Sequence, residues 1–261
     1  MRGKAATLHN MADLKAQQGE IEDAIALYNQ SLQIYESIND VRGKAATLHN
    51  MADLKAQQGE IEDAIALYNQ SLQIYESIND VRGKAATLNN MAYLAGKIGD
   101  TARELELYLQ VADILGQIRD YINLRTVLKN LGVTDESQRI IYFAQAVWLC
   151  LRVQIPLTAT LETFESMYQS VPQGDEIEAL LGAGVVYLCA VRGGEHPQLE
   201  ELQERGFNIL LGAAGAQGIE TQEAFDTWYE SQQLNNPEYY MPRLYEKLAE
   251  IVGDEWLFER F

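Results

Sequence analysis

The sequence has few of the residues from which catalytic and metal sites are usually built. Its 261 residues include 2 cysteines and 3 histidines. Cys150 and Cys189 lie in apolar runs without a neighbouring His or Lys to lower a thiol pKa, so we interpret them as buried hydrophobic residues in a reduced compartment. A disulfide between them or a catalytic thiol is the alternative. His196 directly precedes Pro197, which favours helix capping or solvent exposure over acid–base chemistry.

Positive charge is also scarce. The chain has 20 Lys/Arg against 38 Asp/Glu, a net charge of −18, and its cations occur singly. Nucleic acid and anionic membranes are therefore not expected as partners. Residues 157–261 hold 5 Lys/Arg against 19 Asp/Glu, whereas residues 1–156 hold 15 against 19. This change in charge predicts a domain boundary at residue 156.

Long uninterrupted apolar runs are missing as well. The longest, residues 140–157, is broken by Gln145, Arg152 and Gln154, so it predicts a buried helix rather than a membrane span. No signal-peptide pattern opens the sequence, and we expect a cytoplasmic protein. Glycines recur in the second half without the Gly-Lys-Ser/Thr of a phosphate loop, so we assign them to close helix packing.

The dominant positive feature is a repeat of 40 residues. Residues 2–40 and 42–80 are identical, and a third copy opens with the same RGKAATL at residues 82–88 before it diverges. A fainter fourth copy follows. We number the repeats 1 (residues 2–41), 2 (42–81), 3 (82–121) and a degenerate 4 (122–156), because fixed-period similarity indicates a repeat architecture.

Each repeat is expected to form two helices. Apolar residues from Ala5 to Leu14 recur at helical spacing, Gly19 ends this run, and a second run from Ile21 to Tyr35 ends at Asn39. Glycine accepts the positive φ found just after many helices. Two helices joined by so short a turn lie antiparallel, and each pair needs a neighbour to bury its apolar stripe.

The pattern resembles the tetratricopeptide repeat family over about residues 2–156. The phrase ATLHNMADLKAQQGEIEDA is similar to the longer variety found in kinesin light chains and many bacterial repeat proteins. The family positions agree at Leu8, Met11, Gly19, Ala24 and Tyr28, and they differ at Lys15 and Glu36. In repeat 4, Arg139 stands where the turn glycine should be. The resemblance implies an all-α, right-handed solenoid, followed here by an acidic helical region at residues 157–261.

The resemblance also implies a peptide-binding groove on the concave face, lined by the first helix of each repeat. The predicted groove residues are His9, Asn10, Asp13, Gln17, His49, Asn50, Asp53, Gln57, Asn89, Asn90, Tyr93, Lys97, Lys129 and Asn130. The recurring asparagines could hydrogen-bond an extended backbone. Two readings stay open beside this one: the same positions are a solvated face, or the His and Asp pairs four residues apart hold a metal.

The charges along this face favour different partners at its two ends. Family members that bind chaperones hold a C-terminal carboxylate with Lys, Asn and Arg, and that pattern is not matched here. Repeats 1 and 2 suit a partner segment of basic or mixed character. Lys97 and Lys129 place any acidic contact near repeats 3 and 4.

The region beyond residue 156 is predicted to form five more helices, in which no family is identified. Its aromatic residues are either core or a partner-binding surface; they are Trp228, Tyr229, Tyr239, Tyr240, Tyr245, Trp256 and Phe258.

The sequence therefore predicts a non-enzymatic scaffold that binds a protein or peptide partner, without a cofactor or a metal. Head-to-tail self-assembly is the alternative, and a ligand sensor or enzyme in the second half is a weaker one. Identity down to Gln17 and Gln57 exceeds what packing requires, which indicates recent duplication or an engineered, amplified repeat. We also expect the chain to be part of a longer array, because Met1 stands where Val41 and Val81 stand later.

Overall fold

The computed structural model describes residues 1–194 and 196–259, and this part of the chain is all-α. It contains thirteen helices: α1 (Arg2–Gln17), α2 (Ile21–Ser37), α3 (Val41–Gln58), α4 (Ile61–Ser77), α5 (Val81–Lys97), α6 (Thr101–Gln117), α7 (Tyr121–Thr134), α8 (Arg139–Arg152), α9 (Leu157–Tyr168), α10 (Glu176–Arg192), α11 (Leu199–Ala216), α12 (Gln222–Ser231) and α13 (Pro237–Val252). They form two compact units, Met1–Ile114 and Leu115–Phe261. Over the described residues, no helix is both long and apolar enough to span a membrane.

The predicted helix pairs are confirmed in repeats 1 to 3. Gly19, Gly59 and Gly99 lie between the two helices of each pair with φ of 79°, 81° and 80°, a conformation that glycine adopts without a steric penalty. Buried serines join the two helices: Ser31 Oγ donates to the Ala5 carbonyl at 2.8 Å, and Ser71 repeats this bond to Ala45 at 2.9 Å.

An aspartate sets the start of each following pair. The Asp40 carboxylate accepts from the Gly43 N–H at 3.0 Å, and it also pairs with Arg2 Nε at 2.8 Å. Asp80 makes the equivalent contacts with Gly83 and Arg42. A carboxylate at this position satisfies an amide that has no partner within the helix. The aspartate thus caps the helix and links its start to the preceding repeat.

The core of the N-terminal unit forms where neighbouring repeats meet. Met51 and Leu54 of α3 pack against Ala12, Ala24 and Tyr28 of repeat 1. The small alanines let the helices approach closely, and the larger side chains fill the space between them. Since each repeat contributes one half of such an interface, stacking buries an apolar stripe that a single pair leaves exposed.

The C-terminal unit begins with the helix pair α7 and α8, which lies at the place of the degenerate repeat 4. Asp135 holds its turn by accepting from the backbone N–H groups of Ser137 and Gln138 at 3.0 and 3.3 Å. Arg139 Nε then donates to the Gly132 carbonyl at 3.0 Å. This turn therefore closes without a positive φ. The proposed limits of repeat 4 and the boundary at residue 156 stay predictions.

The five helices predicted after residue 156 are present as α9 to α13. Close packing is confirmed at Gly182, where an added Cβ would lie 2.7 Å from Leu210 Cγ, and at Gly184 and Gly212. It is wrong for Gly215 and Gly218, where an added Cβ would meet nothing within 4 Å. Cys150 and Cys189 are buried and not bonded to each other. Burial raises the pKa of the Cys150 thiol to about 11. Of the predicted aromatic cluster, Trp228 and Tyr240 are core and Tyr239 is exposed.

Candidate functional site

The face predicted to bind a partner carries a hydrogen-bond network between repeats 1 and 2. His9 Nδ1 lies 3.1 Å from Thr47 Oγ1, and Asn50 Nδ2 lies 3.2 Å from His9 Nε2. Asn50 also donates to Asp13 Oδ1 at 3.0 Å, and the Tyr28 hydroxyl donates to the same oxygen. Side chains of repeats 1 and 2 therefore satisfy one another's hydrogen-bonding groups along the interface between the two repeats, which we call a joint.

The same network recurs between repeats 2 and 3. His49 contacts Thr87 at 3.0 Å, and Asn90 contacts His49 Nε2 at 3.2 Å and Asp53 Oδ1 at 2.9 Å. Tyr68 donates its hydroxyl to Asp53. Each His ring also meets the following tyrosine edge to face, with centroids 5.3 Å and 5.7 Å apart. We call these contacts the joint network.

The joint network requires neutral histidines. Thr47 donates its own hydroxyl to the Gly43 carbonyl at 2.9 Å, so His9 Nδ1 carries the proton and Nε2 accepts from Asn50. Burial lowers the pKa of His9 and His49, and Asp13 and Asp53 oppose this effect in part. For Tyr28 and Tyr68 the effect of burial has the opposite sign: reinforced by the bond to the carboxylate, it raises the pKa of each hydroxyl far above the ordinary value for tyrosine.

Several predicted groove residues are therefore engaged within the protein. The N–H groups of the Asn50 and Asn90 amides are taken up by the joint network, and the Asn90 amide oxygen lies 3.5 Å from the Asn89 amide nitrogen. The tyrosines and threonines of the network were not among the predicted site residues. Their recurrence in identical repeats was the available signal, because repetition of a polar residue at a repeat interface is expected when it bonds across that interface.

Other predicted residues remain accessible. Asn10, Gln17, Gln57, Tyr93 and Lys97 are exposed. Tyr93 is 58% exposed, and Lys97 Nζ lies 4.9 Å from its ring centroid, in a cation–π contact. No described carboxylate lies within ion-pair distance of Lys97, whereas Lys15 and Lys55 are paired with Glu20 and Glu60.

The accessible residues of repeats 2 and 3 enclose a cavity of about 280 Å³. Its lining residues are Asp53, Ala56, Gln57, Tyr68, Asn90, Tyr93, Leu94 and Lys97. Five of the predicted groove residues are thereby brought together. We call this cavity the repeat groove.

The position of the repeat groove follows from two differences between otherwise similar repeats. Tyr93 and Lys97 occupy the places held by Asp53 and Gln57 forty residues earlier. A tyrosine and a lysine reach further from the helix than the shorter side chains, so they form a wall that repeat 2 lacks. The repeat groove thus depends on the point where the third copy diverges.

The remaining predicted positions lie apart from this cavity. Asn89 is half-buried on α5, and its amide reaches Asn90 at 3.5 Å. Lys129 and Asn130 are half-buried on α7 in the C-terminal unit, where Lys129 Nζ is 3.5 Å from Glu162 Oε2. His196 Nδ1 accepts from the Gln198 N–H at 3.2 Å, in the segment that leads into α11. Among the described residues, no cluster of three or more His, Cys, Asp or Glu is arranged for a metal ion.

Comparisons with known proteins address the fold. The family model described as "Tetratricopeptide repeat" matches residues 3–77 and 43–117. No curated protein matches the sequence at a significant level.

Solved structures share this architecture. One is a kinesin-light-chain protein of Podosopora anserina with nearly identical TPR-like repeats: its TM-score is 0.56 at 15% identity, over 80% of this chain and 96% of that one. A variant of the same protein gives a TM-score of 0.56 at 16% identity, over 83% of this chain and 97% of that one. At these identities the likeness concerns the fold alone. With the helix pairs, the turn glycines and the family match taken together, residues 3–117 are an array of tetratricopeptide repeats.

Proposed function

We propose that the chain is a non-enzymatic scaffold that binds a peptide segment of a partner protein in the repeat groove. The observation that carries this proposal is the cavity between repeats 2 and 3, where an exposed tyrosine, an asparagine and a lysine with no ion partner among the described residues converge. Repeats of this family generally mediate protein–protein interaction. A cytoplasmic location, predicted from the sequence, accompanies the proposal.

The charges in the repeat groove support a defined polarity for the bound segment. Lys97 has no acidic partner among the described residues, so it favours a carboxylate on the ligand. The Asp53 carboxylate already accepts from Tyr68 and Asn90, and it faces the same cavity. A basic or amide N–H group on the ligand fits that side. The partner segment would therefore run with its acidic residue toward repeat 3 and its basic or polar residues toward repeats 1 and 2.

An affinity capture with the double variant Tyr93→Asp and Lys97→Gln tests the proposal. These substitutions give repeat 3 the residue types that repeat 2 carries at the same positions, so the helix should tolerate them. They remove the wall of the repeat groove without touching the joint network. We expect the captured partner to be lost or to bind at least tenfold more weakly.

Tyr239→Asp is the matched control, because Tyr239 is another exposed tyrosine with a stacked cation, Arg243, at 5.2 Å. Binding to this variant should equal binding to the unchanged protein. Circular dichroism and thermal melting should show that all three proteins are folded. If the double variant retains the same partners with the same affinity, the assignment of the repeat groove is wrong.

Self-association is a second candidate, favoured by the exposed apolar face of α1. Met11 and Leu14 are 46% and 58% exposed, whereas the equivalent Met51 and Leu54 of α3 are 8% and 3% exposed. The two helices have the same sequence, so α1 presents a surface that the protein elsewhere covers with a helix pair.

Light scattering over a concentration series tests this candidate. Association through α1 should increase the mean mass with concentration, and Leu14→Asp should abolish the increase. Leu14 is exposed, so this change leaves the fold intact. A strictly monomeric protein at high concentration would exclude self-association.

A further inference from the structure

A second groove lies in the C-terminal unit, on the surface between α10 and α13. Its volume is about 560 Å³, within the usual range for binding sites. The lining residues are Leu151, Tyr187, Leu188, Val191, Arg192, Pro237, Glu238, Met241, Pro242 and Tyr245. We call it the α10–α13 groove, and none of its residues belongs to the repeat groove.

The floor and walls of this groove are mainly apolar. The cation that lines it, Arg192, is held by backbone carbonyls: Nη1 donates to those of Cys150 and Val153 at 2.9 and 3.2 Å, and Nη2 donates to that of Leu151 at 3.1 Å. These are carbonyls at the C-terminal end of α8, where a positive charge is stabilised. Arg192 therefore supports the wall, and Val191, 56% exposed, remains open to a ligand.

Two opposite charges, each without an ion partner among the described residues, flank the apolar part. Glu238 lines the groove near the start of α13, and no described cation lies within ion-pair distance of it. Arg152 lies beside the other end, with its guanidinium carbon 5.1 Å from the Tyr245 ring centroid and 5.5 Å from that of Trp148. No described carboxylate pairs with Arg152 either. The groove is thus negative at one end and positive at the other.

Neighbouring cations on α13 do not neutralise Glu238. Arg243 forms an ion pair with Glu176, and Lys247 lies 3.1 Å from Glu250. Pro242, which lies within α13, adds a second acceptor at the same end. It has no N–H, so the Glu238 carbonyl four residues earlier lacks its usual helical donor. Both groups of Glu238 therefore favour a donor or a cation on the ligand.

We propose that the α10–α13 groove binds an amphipathic helical segment of a partner protein, with a basic residue toward Glu238 and an acidic residue toward Arg152. Glu238 and Tyr245, whose ring lies beside Arg152, are seven positions apart on α13, about 10 Å of helix. This distance matches two turns of a bound helix, whose apolar side chains at positions i, i+3, i+4 and i+7 would fill the groove. Charge complementarity fixes its direction.

Selection from a random library of helical peptides, with the whole chain as bait, tests this inference. The bait carries Tyr93→Asp and Lys97→Gln, which keep ligands of the repeat groove out of the selected pool. Val191→Asp, which places a charge in the apolar part of the α10–α13 groove, is kept for the binding test. We expect the pool to contain apolar two-turn segments with a basic residue at one end and an acidic residue at the other. Their affinity should fall at least tenfold on Val191→Asp.

Val133→Asp is the matched control, because Val133 is 69% exposed on α7, away from this groove. It should bind the selected peptides like the unchanged protein. The direction is tested with the double variant Glu238→Arg and Arg152→Glu, which should prefer peptides with the two end charges exchanged by at least tenfold. The inference is overturned if the pool binds Val191→Asp equally well or if no peptide is selected. It is also overturned if exchanging the two charges does not change which peptides bind.

Discussion

His9 and His49 occupy positions where only the neutral imidazole makes all of its contacts. Each ring accepts a hydrogen bond from an asparagine at Nε2 and gives one to a threonine at Nδ1. A proton added at Nε2 would face the asparagine N–H and remove that bond. The joint network therefore makes repeat stacking sensitive to pH, even though aspartates lie close to both rings.

We predict that the free energy of unfolding decreases as the pH falls below about 6.5. Burial lowers the histidine pKa values in the folded protein below the ordinary 6.5, so the unfolded chain takes up protons first and gains stability relative to the folded one. The stability that the neutral histidines contribute is fully present above pH 7 and declines as the pH falls through 6.5. The decline stops once the histidines of the folded protein are protonated too. Urea unfolding between pH 5 and 8 measures it.

The double variant His9→Asn and His49→Asn is the control, because asparagine stands at the equivalent position 89 of repeat 3. Its stability should vary less over the same pH range. If the variant and the unchanged protein show the same pH dependence between 5 and 7, the histidines are not responsible.

Arg119 adopts a left-handed backbone conformation that suits asparagine better. Its φ is 55°, and the equivalent turn residues Asn39 and Asn79 have 54° and 53°. Asparagine tolerates this conformation better than most residues. Arg119→Asn should raise the free energy of unfolding by up to about 1 kcal/mol, a part of the left-handed cost that asparagine relieves, as thermal melting would show. The exposed ion pair with Glu259 is lost in the variant, which is expected to matter little; a lower melting temperature would contradict the prediction.

At the scale of helices, α1 and α3 have the same sequence from Arg2 and Arg42 onward but different surroundings. Gly43 lies against the ring of Tyr35, so an added Cβ would overlap it, whereas a Cβ on Gly3 meets nothing within 4 Å. One substitution can therefore be made twice in the same sequence context. Any difference between the two results arises from packing against the preceding repeat.

We predict that Gly43→Ala destabilises the protein and that Gly3→Ala does not. Tyr35 is buried, so its ring cannot move aside freely, and overpacking of this kind costs about 1–2 kcal/mol. Gly3→Ala should leave stability unchanged or raise it by up to about 0.5 kcal/mol. Urea unfolding of both variants is the measurement. Equal effects would mean that Tyr35 adapts and that Gly43 has no packing role.

The sequence predicts the helices of this protein better than it predicts the groove. Apolar spacing and the turn residues Gly19 and Asn39 define the pairs, because these signals are local. The joint network was missed because spacing places Asp13 and Asn50 on a helix face but does not show which part of that face the next repeat covers. The turn of repeat 4 is not predicted either, because the Asp135 carboxylate holds it without the expected glycine.

For the whole molecule, the identity of repeats 1 and 2 allows one copy to be removed without a new contact. Deletion of residues 41–80 joins Asp40 to Val81, which recreates the sequence of the native Asp80 junction. Repeat 1 would then meet repeat 3 through the residues that repeat 2 uses. Asp13, Gln17 and Tyr28 would replace their equivalents in the repeat groove.

We predict that the shortened chain folds, has a lower melting temperature and keeps its affinity for the captured partner. Solenoid stability is roughly a sum over repeats and their interfaces, so losing one of each lowers it. Calorimetry and a binding titration measure the two effects. A loss of affinity in the folded, shortened chain would show that the partner contacts more of the array than the repeat groove.

The same duplicated interface has a consequence for the folding pathway. Met91 and Leu94 of α5 match Met51 and Leu54 of α3, so α5 can dock on repeat 1 during folding, with residues 41–80 left out as a loop. The contacts of this misregistered state equal those of the native joint. Only two terms favour the native state over the misregistered one: the entropy lost when residues 41–80 are closed into a loop, and the surface of that copy that stays unburied. Refolding of the full chain should therefore show a slow phase from this kinetic trap, absent once residues 41–80 are deleted.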